Sequence, residues 1–286
     1  MPTGPGPATR RRQLGRQLRD LRLAAGLTSI ASAAERSGLS TATISRIENA
    51  KQTILPRTVR LLCHSYGIGA PILDHLLRLA EESDDRGWHV AYSDTTPNWF
   101  ERYLGEEDEA SEIWGYEAEF VPGLLQTAAY CRAVSATSSP DATRDEIDRR
   151  VEVRSVRQEL LARDKPPTLH VVLNESVLRR RVGGVKVMRE QLRHLADVAK
   201  RRNVTVQVLP FTAGAHPAMI GSFAMLHFFP ADGGEPTIFV EVESGALYPD
   251  RREDFERYTW MFGRLRDLAF APARSATLIS KVVEEL

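Results

Sequence analysis

The sequence is poor in cysteine and has no long apolar run. Its 286 residues include only two cysteines, Cys63 and Cys131, which lie far apart and form no CxxC pair. This usage argues against a disulfide framework and fits a reducing compartment, so we expect a cytoplasmic protein. Without a run of about 18 apolar residues, we expect no membrane span. The start of the chain, residues 1–9, is rich in Pro and Gly, and we interpret it as a flexible arm rather than a signal peptide.

The sequence also lacks the short motifs of common catalytic and metal sites. Its histidines show no HExxH spacing, no serine lies in GxSxG, and Gly183-Gly184 is not part of a GxxxxGK[ST] phosphate loop. His216, on a Gly- and Pro-rich loop, is with Glu175 the strongest enzymatic candidate, but a structural or surface histidine is the favoured interpretation. The sequence therefore predicts no enzyme, no metal site and no cofactor.

Net charge is zero over the whole chain but is unevenly distributed along it. Residues 1–60 carry 11 Arg and Lys against three acids, whereas residues 61–120 carry three Arg against 14 acids. A basic first segment suits binding to phosphates with a strong salt dependence. The acidic segment cannot face DNA closely, and it faces the basic domain, a partner or solvent.

Residues 26–62 have the pattern of two short helices around a tight turn, followed by a third helix. Gly38 can take the left-handed conformation that ends one helix, and Ser40 can cap the next. Ile44 and Ile47 lie three residues apart, on one face of that second helix. Pro56 suits the first turn of the following helix, where its missing N–H costs nothing. A helix pair of this kind can place its second member in the major groove of DNA.

This segment resembles the lambda/434-repressor-like, or XRE-type, helix-turn-helix family. The resemblance rests on Arg22 in RLAAGLT, on Gly38, and on the motif SxxTISRIENAK from Ser40 to Lys51. It implies base contacts from the residues just after the turn: Thr41, Ala42, Ser45 and Arg46. It implies a structural pair between Arg22 and Glu48, and phosphate contacts from Ser29, Thr43, Asn49 and Lys51. Thr28 or Ser29 stands where the family often has a glutamine at the start of the second helix. Arg46 could bind guanine O6 and N7 together, which discriminates by about 1–3 kcal/mol.

Beyond an expected linker at 83–97, residues 98–286 mix helical and strand patterns. Residues rich in β-branched and aromatic side chains predict strands at 169–173, 204–209, 223–229 and 237–242. The turn Asp232-Gly233-Gly234 predicts an antiparallel hairpin between the last two. Residues 109–116 are predicted as a helix. We therefore expect an α-helical domain of five helices at 10–82 and an α+β domain at 98–286. The second domain should have a small, largely antiparallel sheet covered by helices.

The second part resembles the DUF5753 domain of actinobacterial regulators. The matching stretches, in order, are EFVPGLLQT (119–127), NESVLRRRVGG (174–184), VMREQLRHL (187–195), VTVQVLPFTAGAHPAM (204–219) and FVEVESGALY (239–248). The resemblance implies a transcription regulator whose second domain mediates dimerisation, partner binding or ligand sensing. It also implies a small DUF397-type protein as a candidate partner.

Taken together, these patterns predict a sequence-specific regulator of transcription that binds double-stranded DNA. We expect a homodimer, because one small helical module buries little surface and two half-sites multiply affinity. Two other classes of function stay open. One is a partner-sequestering, antitoxin-like interaction protein, and the less favoured one is an enzyme fused to a DNA-binding head.

Overall fold

The computed structural model describes residues 6–83, 98–229 and 236–286. The described residues form two compact units, one that includes residues 6–83 and one that includes residues 98–228 and 236–286. Each unit has its own hydrophobic core. Parts of three segments interpreted from the sequence lie outside the described residues. These parts are 1–5 of the expected arm, 84–97 of the expected linker, and the Asp232–Gly234 turn.

The first unit contains five helices, as predicted: α1 (Pro7–Ala24), α2 (Ile30–Ser37), α3 (Thr41–Glu48), α4 (Pro56–Tyr66) and α5 (Ile72–Glu82). Helix α1 begins at Pro7, where the ring supplies a helical φ and the absent N–H is not needed. Residues 7–9, expected in the arm, are therefore helical. All five helices contribute fully buried apolar side chains to one core, among them Leu14, Leu18, Ala33, Ile44, Ile47, Val59, Leu62 and Leu76.

The second unit is built on one six-stranded sheet. Its strands are β1 (Glu112–Glu117), β2 (Thr168–Asn174), β3 (Val204–Leu209), β4 (Phe223–His227), β5 (Thr237–Val242) and β6 (Gly245–Leu247). They lie in the order β3-β2-β1-β4-β5-β6. Strands β1, β2 and β3 are parallel, whereas β4, β5 and β6 pair antiparallel with their neighbours. In this register Trp114 of the central strand lies between His170 and Met225.

The expectation of a small, largely antiparallel sheet is therefore wrong. The sheet is mixed, and three of its six strands run parallel. The error came from residues 109–116, which were predicted as a helix but contribute most of strand β1. Ile113, Trp114 and Tyr116 suit a strand, but the pairing partners of β1 begin only at Thr168 and Phe223. The antiparallel pairing of β4 with β5 was predicted correctly.

Helices cover both faces of the sheet. They are α6 (Asn98–Glu109), α7 (Ala128–Ser138), α8 (Arg144–Gln158), α9 (Glu175–Arg179), α10 (Gly184–Val198), α11 (Arg252–Leu268) and α12 (Pro272–Glu285). The chain crosses from β1 to β2 through α7 and α8, and from β2 to β3 through α9 and α10. The larger core joins one sheet face to α7, α10 and α12, and a smaller core joins the other face to α11.

Candidate nucleic-acid interface

The turn between α2 and α3 is fixed by local backbone chemistry. Gly38 has φ +74° and ends α2, and its N–H donates to the carbonyl of Ala34. A residue with a side chain rarely adopts this conformation, so glycine is the natural choice. Ser40 then caps α3, because its Oγ accepts the backbone N–H of Thr43 at 3.0 Å. Both features were predicted from the sequence, and both are confirmed.

Helix α3 has one buried face and one exposed face. Ile44 and Ile47 are fully buried in the core of the unit. Thr41, Ala42 and Arg46 are exposed, and Ser45 is half-buried beside them. The four side chains predicted to contact bases therefore stand together on the outward side of the helix. They offer one guanidinium, two hydroxyls and two methyl groups, which are the groups that read base edges in the major groove.

The four residues predicted to contact phosphates lie at helix ends. Ser29 caps α2, and its Oγ accepts the N–H of Ser32 at 3.0 Å. The hydroxyl of Thr43 lies 2.8 Å from Ser40 Oγ, so it takes part in the cap of α3. Asn49 is the C-cap residue of α3, and the N–H of the exposed Lys51 donates to Arg46 O. A capped helix N-terminus presents backbone N–H groups, which favour anions such as phosphate.

A buried ion pair attaches α3 to α1. The Arg22 guanidinium donates to Glu48 Oε1 at 2.6 Å and to Glu48 Oε2 at 2.9 Å, and only 4% of Arg22 and 7% of Glu48 are exposed. Arg22 also donates to the carbonyl of Leu27, which precedes α2. The hydrogen bond to Glu48 raises the pKa of Arg22 above its usual value. One side chain thus holds α1, the start of the helix pair and the end of α3 in a fixed arrangement.

The sequence-based interpretation did not include Gly15, which determines how closely α1 approaches α3. A β-carbon at this position would lie 2.6 Å from the carbonyl oxygen of Ile47 and 2.9 Å from that of Glu48. Both are backbone atoms that cannot rotate away. The available signal was a single glycine inside an otherwise strong helical pattern, which often marks a packing requirement.

Comparison with protein-family models assigns both units. A model described as helix-turn-helix domain matches residues 13–76, which run from within α1 to within α5 and include the Arg22–Glu48 pair. A model described as domain of unknown function DUF5753 matches residues 100–281, more than half of the chain. The chain belongs to the DUF5753 family. Searches of curated proteins and of solved structures returned no significant match.

The DUF5753 domain contains an ordered cluster of charged groups beside its sheet. Arg157 donates to both carboxylate oxygens of Glu107 at 2.8 Å, and each residue is at least 95% buried. The guanidinium groups of Arg154 and Arg157 lie against Gly123, so a side chain at this position would have to displace them. Half-buried Glu117 ends β1 on this face, and its Oε2 has no hydrogen-bond partner among the described residues. Burial raises the pKa of Glu117 to about 8.

The two residues that carried the enzymatic alternative have different hydrogen-bond partners. Glu175 accepts the N–H of Phe211 at 3.1 Å and pairs with Arg179. His216 instead lies 3.4 Å from the hydroxyl of Tyr116, and burial lowers the pKa of His216. Within the described ranges, no hydrogen bond joins Glu175 to His216, and no three His, Cys, Asp or Glu side chains group as metal ligands. None of the helices described here is long and apolar enough to cross a membrane.

The same loop, residues 210–222, presents apolar side chains to solvent. Phe211 is 60% exposed, Met219 is 70% exposed and Ile220 is 98% exposed. The loop is held at both ends, by the Phe211–Glu175 hydrogen bond and by Ser222, whose Oγ accepts the N–H of Ala118. Exposed apolar groups on a fixed loop are typical of surfaces that bind another protein.

Proposed function

We propose that this protein is a sequence-specific DNA-binding regulator of transcription that places α3 in the major groove. The observation that supports this function best is the organisation of α3. Its outward face carries Thr41, Ala42, Ser45 and Arg46, while its buried face and the Arg22–Glu48 pair fix the orientation of the helix. The match of residues 13–76 to a helix-turn-helix model supports the same function. The proposal assigns no catalytic role to either unit.

In this proposal Arg46 is the main base-reading residue, and side chains near the helix ends bind phosphates. A guanidinium can donate two parallel hydrogen bonds to guanine, which no other exposed group on α3 can do. Ser29, Thr43, Asn49 and Lys51 hold the protein in register on the backbone without reading sequence. Loss of Arg46 should therefore change selectivity, whereas loss of Lys51 should weaken binding to all duplexes alike.

The test is fluorescence anisotropy on the DNA upstream of the protein's own gene, with a scrambled duplex for comparison. Arg46→Ala should reduce affinity for the upstream duplex by about 5- to 150-fold, which corresponds to about 1–3 kcal/mol. Arg78→Ala on α5 removes the same charge from another exposed position in the unit, and it should keep full selectivity. Equal binding of wild-type protein to both duplexes would contradict the proposal.

We further propose that the DUF5753 domain joins two copies of the chain through the loop at 210–222. The exposed Phe211, Met219 and Ile220 support this role, because a second copy would remove them from water. Two helix-turn-helix units spaced one DNA turn apart, roughly 34 Å, would then read a two-fold symmetric site. A small DUF397-type protein is the alternative occupant of the same loop.

A further inference from the structure

Positive charge in the DUF5753 domain is concentrated in one stretch of sequence. Residues 179–202 contain nine Arg and Lys against two acids. The rest of the segment 98–286 contains 16 Arg and Lys against 27 acids. Solubility alone would be served as well by an even distribution of charge. A basic surface on an otherwise acidic domain therefore indicates a polyanionic partner.

Three cations on the outer face of α10 form the centre of this basic surface. Lys186, Arg189 and Arg193 are three and four residues apart, so they lie on one side of the helix. With Glu190 they line an open groove of about 270 Å³. The opposite side of α10 is buried in the core of the domain through Met188, Leu192 and Leu195. This packing holds the cationic side toward solvent.

Among the described residues, Arg179 at the end of α9 and the next residue, Arg180, have carboxylate partners, unlike the three cations on α10. Arg179 pairs with Glu175 and Glu285, and Arg180 pairs with Glu119. No carboxylate in the described parts of the chain lies within ion-pair distance of the three cations on α10. Glu190 is the one acid in the groove, so the groove carries a net charge of +2. Its cations are available to an external anion.

We propose that the outer face of α10, centred on Lys186, Arg189 and Arg193, binds the phosphate backbone of the DNA that the helix-turn-helix unit reads. The inference rests on the proposed function, because that function brings a polyanion to the same chain at high effective concentration. The three cations span about 10 Å along the helix axis. A duplex carries one charge per about 1.7 Å of its axis, so each cation can reach a phosphate.

This contact adds affinity without adding selectivity. Phosphate contacts carry no sequence information, so α10 strengthens binding to every duplex, while α3 chooses among them. An acidic protein is the other macromolecule that could occupy the groove. DNA is favoured because the same chain already contains a helix-turn-helix unit whose first 60 residues are strongly basic.

The experiment compares full-length variants by fluorescence anisotropy over a salt series, on the upstream and the scrambled duplexes. The test variant combines Lys186→Ala, Arg189→Ala and Arg193→Ala. The matched control combines Arg257→Ala, Arg264→Ala and Lys281→Ala, which removes one Lys and two Arg from exposed positions on α11 and α12. The test variant should bind both duplexes about tenfold or more weakly at low salt. Its slope of log affinity against log salt should fall by about 2–3, since each phosphate contact contributes about 0.9.

The Arg46→Ala variant, measured in the same series, separates the two proposals. A test variant that binds like the control, while Arg46→Ala loses selectivity, overturns the role of α10 and leaves the proposed function intact. Wild-type protein that binds neither duplex overturns both. Circular dichroism and thermal melting check that the variants fold. Should the triple variant fail to fold, Arg193→Glu at the exposed end of the groove should reduce affinity for both duplexes, and unchanged affinity would overturn the inference.

Discussion

At the scale of single residues, charged groups away from solvent hold each unit in its arrangement. In the first unit, the Arg22–Glu48 pair joins α1 to the end of α3 with two short hydrogen bonds. In the second unit, Arg157 and Glu107 form a pair of the same kind. Such pairs cost free energy to desolvate, and they contribute little net stability compared with an apolar pair. What they provide is a fixed geometry, and this makes the loss of one partner severe.

Glu48→Gln should destabilise the first unit by about 3–5 kcal/mol, because it leaves the Arg22 charge buried without its counter-ion. Urea unfolding of the full chain, followed by circular dichroism, measures the change. Glu256→Gln is the control, since it breaks the exposed ion pair with Arg252. Exposed pairs contribute little, so the control should unfold like the wild type. A loss of stability equal in both variants would contradict a structural role for the buried pair.

Glu117 should make stability fall as pH rises. Burial raises the pKa of Glu117 to about 8 in the folded state, whereas an unfolded glutamate titrates near pH 4.3. The protonated carboxyl contributes its full stability below the unfolded pKa. That contribution decreases as pH rises from about 4.3 and is lost once pH passes about 8. The largest possible slope is about 1.4 kcal/mol per pH unit.

Glu117→Gln should remove this slope, since the amide does not titrate. Unfolding midpoints measured from pH 7 to 9 for both proteins give the comparison. Half-buried histidines such as His170 and His216, whose pKa values are lowered, act in the opposite direction and mainly below about pH 6.5. Both proteins keep these histidines, so their effect cancels in the comparison. Glu243→Gln, at an exposed position, should keep the wild-type slope. A slope unchanged by Glu117→Gln would contradict a buried, protonated Glu117.

At the scale of elements, the close approach of α1 to α3 sets the position of α3. Gly15→Ala should destabilise the protein by about 1–3 kcal/mol, because the new β-carbon meets two backbone carbonyls within 3 Å. This cost exceeds the gain of about 1 kcal/mol that alanine brings to a helix. Gly263→Ala in α11 is the matched control, since its β-carbon would meet no atom within 4 Å. The Gly263→Ala protein should therefore be slightly more stable than the wild type. A Gly15→Ala protein as stable as the Gly263→Ala protein would exclude the close contact between α1 and α3.

Helix ends that depend on hydrogen bonds between neighbouring residues could be predicted from the sequence. Features that depend on residues far along the chain could not. Gly38 and Ser40 mark the end of α2 and the start of α3 through bonds to residues three or four positions away. The outward side of α3 followed from the spacing of Ile44 and Ile47. Strand β1 was missed, because its pairing depends on β2 and β4, far along the chain. Gly15 was missed for the same reason, since the atoms that restrict it lie on another helix.

At the scale of the whole molecule, neutral net charge conceals two separate basic regions. One is the first 60 residues and the other is the stretch 179–202 in the DUF5753 domain. Composition alone gave no reason to assign both basic regions to DNA binding. The structure of α10 was needed to show that Lys186, Arg189 and Arg193 lie on one side of the helix. The sequence pattern was enough to predict two domains. The relative directions of the strands could not be predicted, because they depend on which strands pair.

The oligomeric state tests the role proposed for the loop at 210–222. Wild-type protein should sediment with about twice the chain mass of 32.0 kDa. The double variant Met219→Ser, Ile220→Ser should sediment as a monomer and bind a two-half-site duplex more weakly, because the apolar surface that joins the copies is lost. Trp260→Ser removes another exposed apolar group, on α11, and should leave the dimer intact. A wild-type monomer with and without DNA would exclude the dimer. A monomer that binds a small DUF397-type protein only when Met219 and Ile220 are present would assign the loop to that partner instead.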